Sequence, residues 1–254
     1  MKSYISASGL KTFEDCPRQW WYKYESDKEP VEGDTRALDL GSAVHETIEL
    51  VLTTDPPPQW DAWEEWDIES RFLDVYEQQF AASVAEEYQD RAIKCLKNAA
   101  RYLEKREPQL RGVEVSVEYN LNRPDVDGLA RGTMDVATDT EIWDWKTGGI
   151  YDDTAKKEKI QGAAYMGAYR VEYGEAPEAI RFIYLREEAV RSIEPSDEVW
   201  EYFVGYARRL AAAKKNDAFE ATPGKPCQWC DYQSYCPAAG GIGENFDWQR
   251  WTAV

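Results

Sequence analysis

The chain has one histidine, three methionines and five cysteines among 254 residues, and it is short of positive charge: 30 Lys and Arg stand against 48 Asp and Glu, a formal net charge of −18. Each scarcity excludes something. A protein that grips phosphate by bulk electrostatics carries a basic footprint, so any nucleic-acid contact must be local. No run approaches the ~20 apolar residues of a membrane span, and the segment from Met1 to Ser6 lacks the apolar core of a signal peptide, so a cytoplasmic location without a membrane partner is expected. An odd number of cysteines, three of them crowded into ten positions near the C-terminus, speaks for a metal or cluster site rather than a secreted disulfide framework. What is present is a folding composition: 43% hydrophobic and 13% aromatic residues exceed what a disordered acidic chain carries. Length gives a prior of one large domain, read here as 1–254.

The charge is unevenly spread. From Thr53 to Asp90 there are 11 acids against Arg71 alone. The Pro56-Pro57-Pro58 run with Trp60, Trp63 and Trp66 marks 53–67 as an acidic, Trp- and Pro-rich insert: a lid, a docking surface or, the preferred reading, a solvated loop. Directly afterwards Arg91, Lys94, Asn98, Arg101 and Lys105 line one side of a predicted helix whose other side carries Ala92, Leu96, Ala99 and Leu103. Such a stripe is either an ordinary solvated face or a track for a phosphate backbone.

Periodicity places the elements. A short helix is expected after Ser8 as N-cap, ending near Cys16-Pro17, and a second after Gly41-Ser42, where Val44, Ile48 and Val51 recur at helical spacing. Further helices are read over about 68–90 and 91–106. Val113, Val115, Val117 and Tyr119 then alternate with polar residues as a half-buried strand, followed by strands around Arg131–Ala137 and Glu141–Lys146, which suggests an antiparallel meander. Ile160, Ala163, Ala164, Gly167, Ala168 and Val171 form the stripe of a small-residue helix able to pack close to a sheet. A strand over Ala179–Leu185 and a helix over Pro195–Lys215 complete a mixed α/β fold, a central sheet flanked by helices.

Three groups of residues could do chemistry. Asp144 and Lys146, two apart on a strand, share a face, with Trp145 on the other. Asp135 lies beside them if the two strands pair across Thr138-Asp139-Thr140. Adjacent carboxylates repel unless a cation sits between them, and a hard ion such as Mg²⁺ or Mn²⁺ would serve; a surface Asp-Lys pair beside an unrelated aspartate is the plain alternative. His45, on a helix, is either a packing residue or an imidazole ligand, and Gln161 and Tyr165 are i, i+4 neighbours that present an amide and a phenol. Cys227, Cys230 and Cys236 make C-x2-C-x5-C, three thiolates where a closed site wants four; Cys16 is the obvious fourth, because Cys95 lies within a helix at a position compatible with burial. Spacing alone suits a structural zinc as well as an iron–sulfur cluster.

Taken in order, Ser6-x-Ser8-x-Leu10-x-x-Phe13-x-x-Cys16-Pro17, Gly41-x-x-x-His45, Gly132-x-x-Asp135, Asp144-x-Lys146, Gln161-x-x-x-Tyr165 and the cysteine trio resemble the RecB-type branch of the PD-(D/E)XK nucleases, over nearly the whole chain. The similarity is to its iron–sulfur members: CRISPR-adaptation exonucleases, the AddB nuclease domain and stand-alone phage and viral counterparts. The resemblance implies a restriction-endonuclease-like core over 113–185, with cluster-binding segments 1–25 and 222–240 stapled by a 4Fe-4S cluster on Cys16, Cys227, Cys230 and Cys236. It implies His45, Asp135, Asp144 and the Trp145 carbonyl as ligands of Mg²⁺ or Mn²⁺, and Lys146 with Asp144 and Asp135 as catalytic residues. The expected activity is exonucleolytic hydrolysis of DNA, preferring single strands or ends, in recombination, repair, replication or CRISPR-like processing. Gln161, Tyr165, Arg18, Arg91, Lys94 and Arg101 are the candidate DNA contacts, and a recombination or CRISPR-adaptation protein is a candidate partner. For a phage- or virus-encoded chain the location would be the host cytoplasm. On so acidic a protein such activity is expected to depend on salt. The rival is a non-catalytic zinc-binding interaction or DNA-mimic module.

Overall fold

Alternating Val and Tyr residues make strands, and stripes of Ala, Leu and Ile at helical spacing make the helices that cover them. In a computed structural model, which describes residues 4–31, 33–54, 67–126 and 128–238, the order is β1 (Ile5–Ser6), α1 (Ala7–Asp15), α2 (Pro17–Tyr24), α3 (Arg36–Leu52), α4 (Ile68–Val75), α5 (Glu86–Arg106), β2 (Leu110–Asn120), β3 (Leu129–Thr138), β4 (Glu141–Lys146), α6 (Thr154–Tyr173), β5 (Ala179–Tyr184), β6 (Ala189–Ile193) and α7 (Asp197–Asn216). The strands are ordered β1-β3-β4-β5-β6, with β2 also paired to β3. β3 and β4 are antiparallel with Val136 opposite Trp143, whereas β4 and β5 are parallel with Lys146 opposite Tyr184. The fold is therefore mixed α/β with a mixed sheet, and the meander ends at β4, because α6 carries the chain over to a parallel neighbour. No helix of the described residues is long and apolar enough to cross a membrane.

The chain divides into two compact units, 1–33 with 118–131 and 201–254, and 34–117 with 132–200; β2, β3 and α7 run through both. In the second unit α3, α4 and α5 bury Val44, Ile48, Phe72, Leu96 and Leu103 in one cluster with Val136, Trp143 and Trp145 of the sheet. On α6 small residues admit the sheet closely, as their spacing predicts: a Cβ on Gly132 would stand 2.8 Å from the Ala164 carbonyl oxygen and 3.0 Å from Ala168 Cβ. The first unit is held by aromatics. Trp20 stacks on Phe219 and meets Phe13 edge-on, while Tyr22 stacks on Tyr232 and donates to the Tyr235 carbonyl at 2.7 Å.

Several sequence expectations shift. The cap of α1 is Ser6, whose hydroxyl accepts from the Gly9 amide at 3.0 Å, and Ser8 lies inside the helix. Both serines satisfy the rule, and the β1 strand entering at Ile5 decides between them. α3 begins at Arg36, because Gly41 is tolerated within it beside Thr147. The helix expected over 68–90 breaks after Val75 into a π turn and a 3₁₀ turn, and α5 starts at Glu86, so the division falls before the charge reversal. β1 and β6 were not foreseen, being two and five residues long. Of the acidic insert, residues 55–66, with Trp60, Trp63 and Trp66, lie outside the described residues. The basic stripe is interrupted, because Asn98 is buried and donates to the Leu185 carbonyl. Replacing Gly132 by Val is expected to lower the unfolding free energy by about 1–3 kcal/mol through overpacking against α6, read from the urea midpoint; an unchanged midpoint would show that the helix gives way freely.

Candidate active site

The β3–β4 register that sets Val136 against Trp143 carries Asp135 and Asp144 to neighbouring places at one end of the sheet. Asp135 is buried and accepts the Trp145 amide at 2.8 Å. Asp144 is 1% exposed. Its Oδ1 receives Gln161 Nε2 at 3.0 Å and the Tyr165 hydroxyl, both from α6, and its Oδ2 ion-pairs with Lys146. The Lys146 ammonium donates to Gln161 Oε1 at 3.1 Å and lies over the Phe182 ring. The shared face foreseen for Asp144 and Lys146 is thus the α6 side. Trp145 turns its ring the other way, edge-on to Tyr102.

From α3, His45 Nδ1 comes within 3.4 Å of Asp135 Oδ2. Burial drives its pKa below the ordinary histidine value, with Asp144 opposing and Lys146 reinforcing. A neutral imidazole beside carboxylates is what metal ligation requires. Among the described residues, His45, Glu114 and Asp135 offer ligand atoms all within 4.8 Å of one another. They open on a groove lined also by Leu38, Gly41, Glu49 and Thr147.

Glu114 was not foreseen. Strand alternation puts it on the polar side of β2, yet its φ is +50°, a left-handed conformation costing a non-glycine residue about 1–2 kcal/mol. The chain folds so tightly there that a Cβ on Gly112 would lie 2.4 Å from Val115 Cγ2. This kink turns Glu114 inward, and strain of this kind gathers at functional sites. The sequence signal, a glycine two positions before a glutamate in a strand, is too faint to read. Glu118, further along the strand, pairs with Arg131 instead.

The electrostatics ask for a cation. Burial pushes the Glu114 carboxyl up to about 7, helped by Glu49 and Asp144. Burial likewise raises Asp135 well above the usual carboxylate range, with Asp144 and Glu114 adding to it and Lys146 opposing. Tyr165 stays a neutral donor, because burial and then Asp144 and Asp135 hold its proton on. An imidazole and two carboxyls with raised pKa form a donor set that suits a hard divalent ion, while Asp144 spends its oxygens on Lys146, Gln161 and Tyr165.

The other predicted residues separate. In the first unit Cys16 is buried, Cys227, Cys230 and Cys236 are half-buried, and all four line one cavity with Arg18 and Tyr22. The amides of Thr222 and Gly224 point at Cys16 and Cys227 at 3.4 Å each. Arg18 lies over Trp21. Cys95 is buried in the α5 core, its thiol pushed up to about 11 by burial. Gln161 and Tyr165 face Asp144. Arg91 lies over Tyr88, Lys94 donates to the Arg186 carbonyl at 3.0 Å, and Arg101 donates to Asn98.

The model of the PD-(D/E)XK nuclease superfamily matches residues 4–237. The chain belongs to that superfamily. Among solved structures this nuclease is similar to a protein of Eubacterium rectale named as a candidate exonuclease, with 17% identity, a TM-score of 0.56 and coverage of 98% of this chain and 93% of that one. At that identity the likeness speaks for the fold alone. A second structure, SSO0001, aligns at 15% identity over 94% of this chain and 88% of its own, with a TM-score of 0.46, too low to add to the argument. No curated protein matches.

The raised Glu114 and Asp135 carboxyls fix the sign of a pH effect. A carboxyl whose folded pKa lies above its unfolded value binds protons more readily in the folded state, so without a divalent ion stability falls as pH rises from the ordinary range near 4.5 through about 7. Mn²⁺ is therefore expected to raise the melting temperature more at pH 7.5 than at pH 5.5, and Glu114→Gln to flatten both the apo pH dependence and the Mn²⁺ increment, measured by scanning calorimetry. Equal increments in parent and variant would remove Glu114 from the donor set.

Proposed function

We propose that the chain is a RecB-type deoxyribonuclease that uses Mg²⁺ or Mn²⁺ to hydrolyse phosphodiester bonds as an exonuclease, acting on single strands or DNA ends in recombination, repair, replication or CRISPR-like DNA processing. One observation carries the reading: Lys146 and Asp144 stand at the end of β4 next to a His45–Glu114–Asp135 donor set, all within one compact unit. In a protein that merely docked a partner, gathering two buried carboxyls and a half-buried third beside one imidazole would be a cost with no return.

His45, Asp135 and Glu114 would hold the ion, with Asp144 and the Trp145 carbonyl at its edge, and when bound the ion polarises a phosphoryl oxygen and lowers the pKa of a water. The rest falls to the chain. Lys146 orients the attacking water and offsets the charge that develops on the phosphate. Tyr165 and Gln161 anchor Asp144, so that Lys146 is held at one place without drawing the carboxylate away. Water gives up a proton to solvent as its oxygen adds to phosphorus in line, the bond to the leaving sugar oxygen breaks, and that oxygen takes a proton from solvent in return.

The family match runs through both units, which supports 1–254 as one nuclease domain with 113–185 as its catalytic sheet core. Cys16, Cys227, Cys230 and Cys236 are proposed to hold a 4Fe-4S cluster, bracing segments 1–25 and 222–240. Four thiols around one cavity, already flanked by donated amides, support this reading, because such amides stabilise cluster sulfurs.

Lys146→Ala is expected to abolish divalent-ion-dependent release of nucleotides from a DNA oligonucleotide labelled at each end in turn, assayed with and without EDTA; cleavage at the parent rate would end the assignment. For the cluster, protein purified without oxygen should be brown with broad absorbance. Cys16→Ser should lose that colour and melt earlier, while Cys95→Ser keeps it; a colourless protein with one zinc per chain would overturn the cluster.

A further inference from the structure

The loop that leaves Lys146 builds a feature that the hydrolytic centre does not use. Gly149 is buried, and a Cβ there would lie 2.3 Å from Arg186 Nη2 and 3.2 Å from the Tyr151 hydroxyl. The absent side chain is what lets a guanidinium and a phenol close over the backbone three residues beyond the lysine. Tyr151 is nevertheless 65% exposed, and Ile150 beside it 40%. Its backbone is fixed at both ends: its amide donates to Thr154 Oγ1 at 2.7 Å, and its carbonyl accepts the Thr154 amide at 3.1 Å, on the first turn of α6. A large aromatic face is thus displayed in a set position instead of being packed.

Positive charge continues from there. Leu185 extends the β4–β5 pairing by donating its amide to the Lys146 carbonyl at 2.8 Å, which places Arg186 next to the catalytic strand end. Lys94 donates to the Arg186 carbonyl, and Arg91 lies one turn earlier on α5. The acids that pair with these groups are Glu187 at 2.6 Å from Arg186 and Glu188 at 3.8 Å from Lys94, both acids open to solvent. Such pairs are worth little in water and give way to a phosphate at small cost. On a chain of net charge −18, three cations gathered near an exposed ring are a local exception.

Resting on the nuclease reading above, we propose that Tyr151 and Arg186 form the seat of a single-stranded DNA segment adjoining the scissile phosphate, Tyr151 stacking on a base and Arg186, Lys94 and Arg91 meeting successive phosphates. Stacking on aromatics combined with a basic path is how unpaired strands are held without sequence preference, because every base has a face to offer. Paired bases inside a duplex do not offer that face, so the same ring selects for unpaired strand.

The test is fluorescence anisotropy of a labelled DNA oligonucleotide with Mg²⁺, in the Lys146→Ala background so that the strand is not consumed. Tyr151→Ala is expected to weaken single-strand binding about 5- to 100-fold and blunt-duplex binding far less. Tyr151→Trp should hold single-strand affinity. Arg186→Gln should shallow the salt dependence by roughly 0.7 in the log–log slope, one lost phosphate contact. Parent-like single-strand affinity in Tyr151→Ala, equal losses on both substrates, or no strand binding by the parent would each overturn the proposal. Cleavage by the wild-type protein is scored separately: a protein that cuts the strand while Tyr151→Ala binds as the parent keeps the nuclease and loses the seat, and one that binds through Tyr151 without cutting keeps the seat and loses the nuclease.

Discussion

Two carboxyls forced together at the end of a sheet set the terms for the second unit. Asp135 and Asp144 are withdrawn from water by the packing of β3 and β4 between helices, and buried like charges on neighbouring strands repel unless something offsets them. Every neighbouring polar group answers that constraint. Lys146 supplies charge, Tyr165 and Gln161 supply hydrogen bonds, the Trp145 amide caps Asp135, and His45 with Glu114 completes a donor set for a cation. The site is held under electrostatic tension by the apolar core behind it, where Trp143 and Trp145 bury the opposite face of the same strand.

The first unit solves a different problem by a different means. Its α1 and α2 are short, and among the described residues after α7 the only helical pieces are two 3₁₀ turns, Lys225–Trp229 and Gln233–Tyr235, too small to bury a core of their own. Stacked aromatics supply contact area, and four thiols gathered from distant parts of the chain line its cavity. A group held by all four would link residues far apart in sequence and restrict the unfolded chain more than a local link would.

Surface charge has its own logic. Arg36, Arg111, Arg123, Arg181, Arg191, Arg208 and Arg209 each pair with an acid, so these basic groups are neutralised where they stand. Exposed pairs add little stability. Their effect is to leave the acidic excess as the background of the molecule, and Arg186 and Lys94 near the β4 end are paired in the same way.

The sequence by itself determined the types of the longer elements, the third strand to the residue, the common face of Asp144 and Lys146, and the small-residue helix, because these follow from periods of 2.0 and 3.6 and from residue volume, which are local properties, while the short β1, α2 and β6 went unread. It also singled out Cys16 over Cys95 as companion to the C-terminal cysteines, since a cysteine inside an apolar helix stripe is a core residue. Only the tertiary structure decided that Ser6 and not Ser8 caps α1, that Asn98 leaves the basic stripe to reach Leu185, and that Gly149 brings Arg186 onto Tyr151. It alone turned Glu114 inward, because a positive φ at one residue reverses which way a side chain faces, and nothing in an alternating pattern records that reversal until the neighbouring strand and helix compel it.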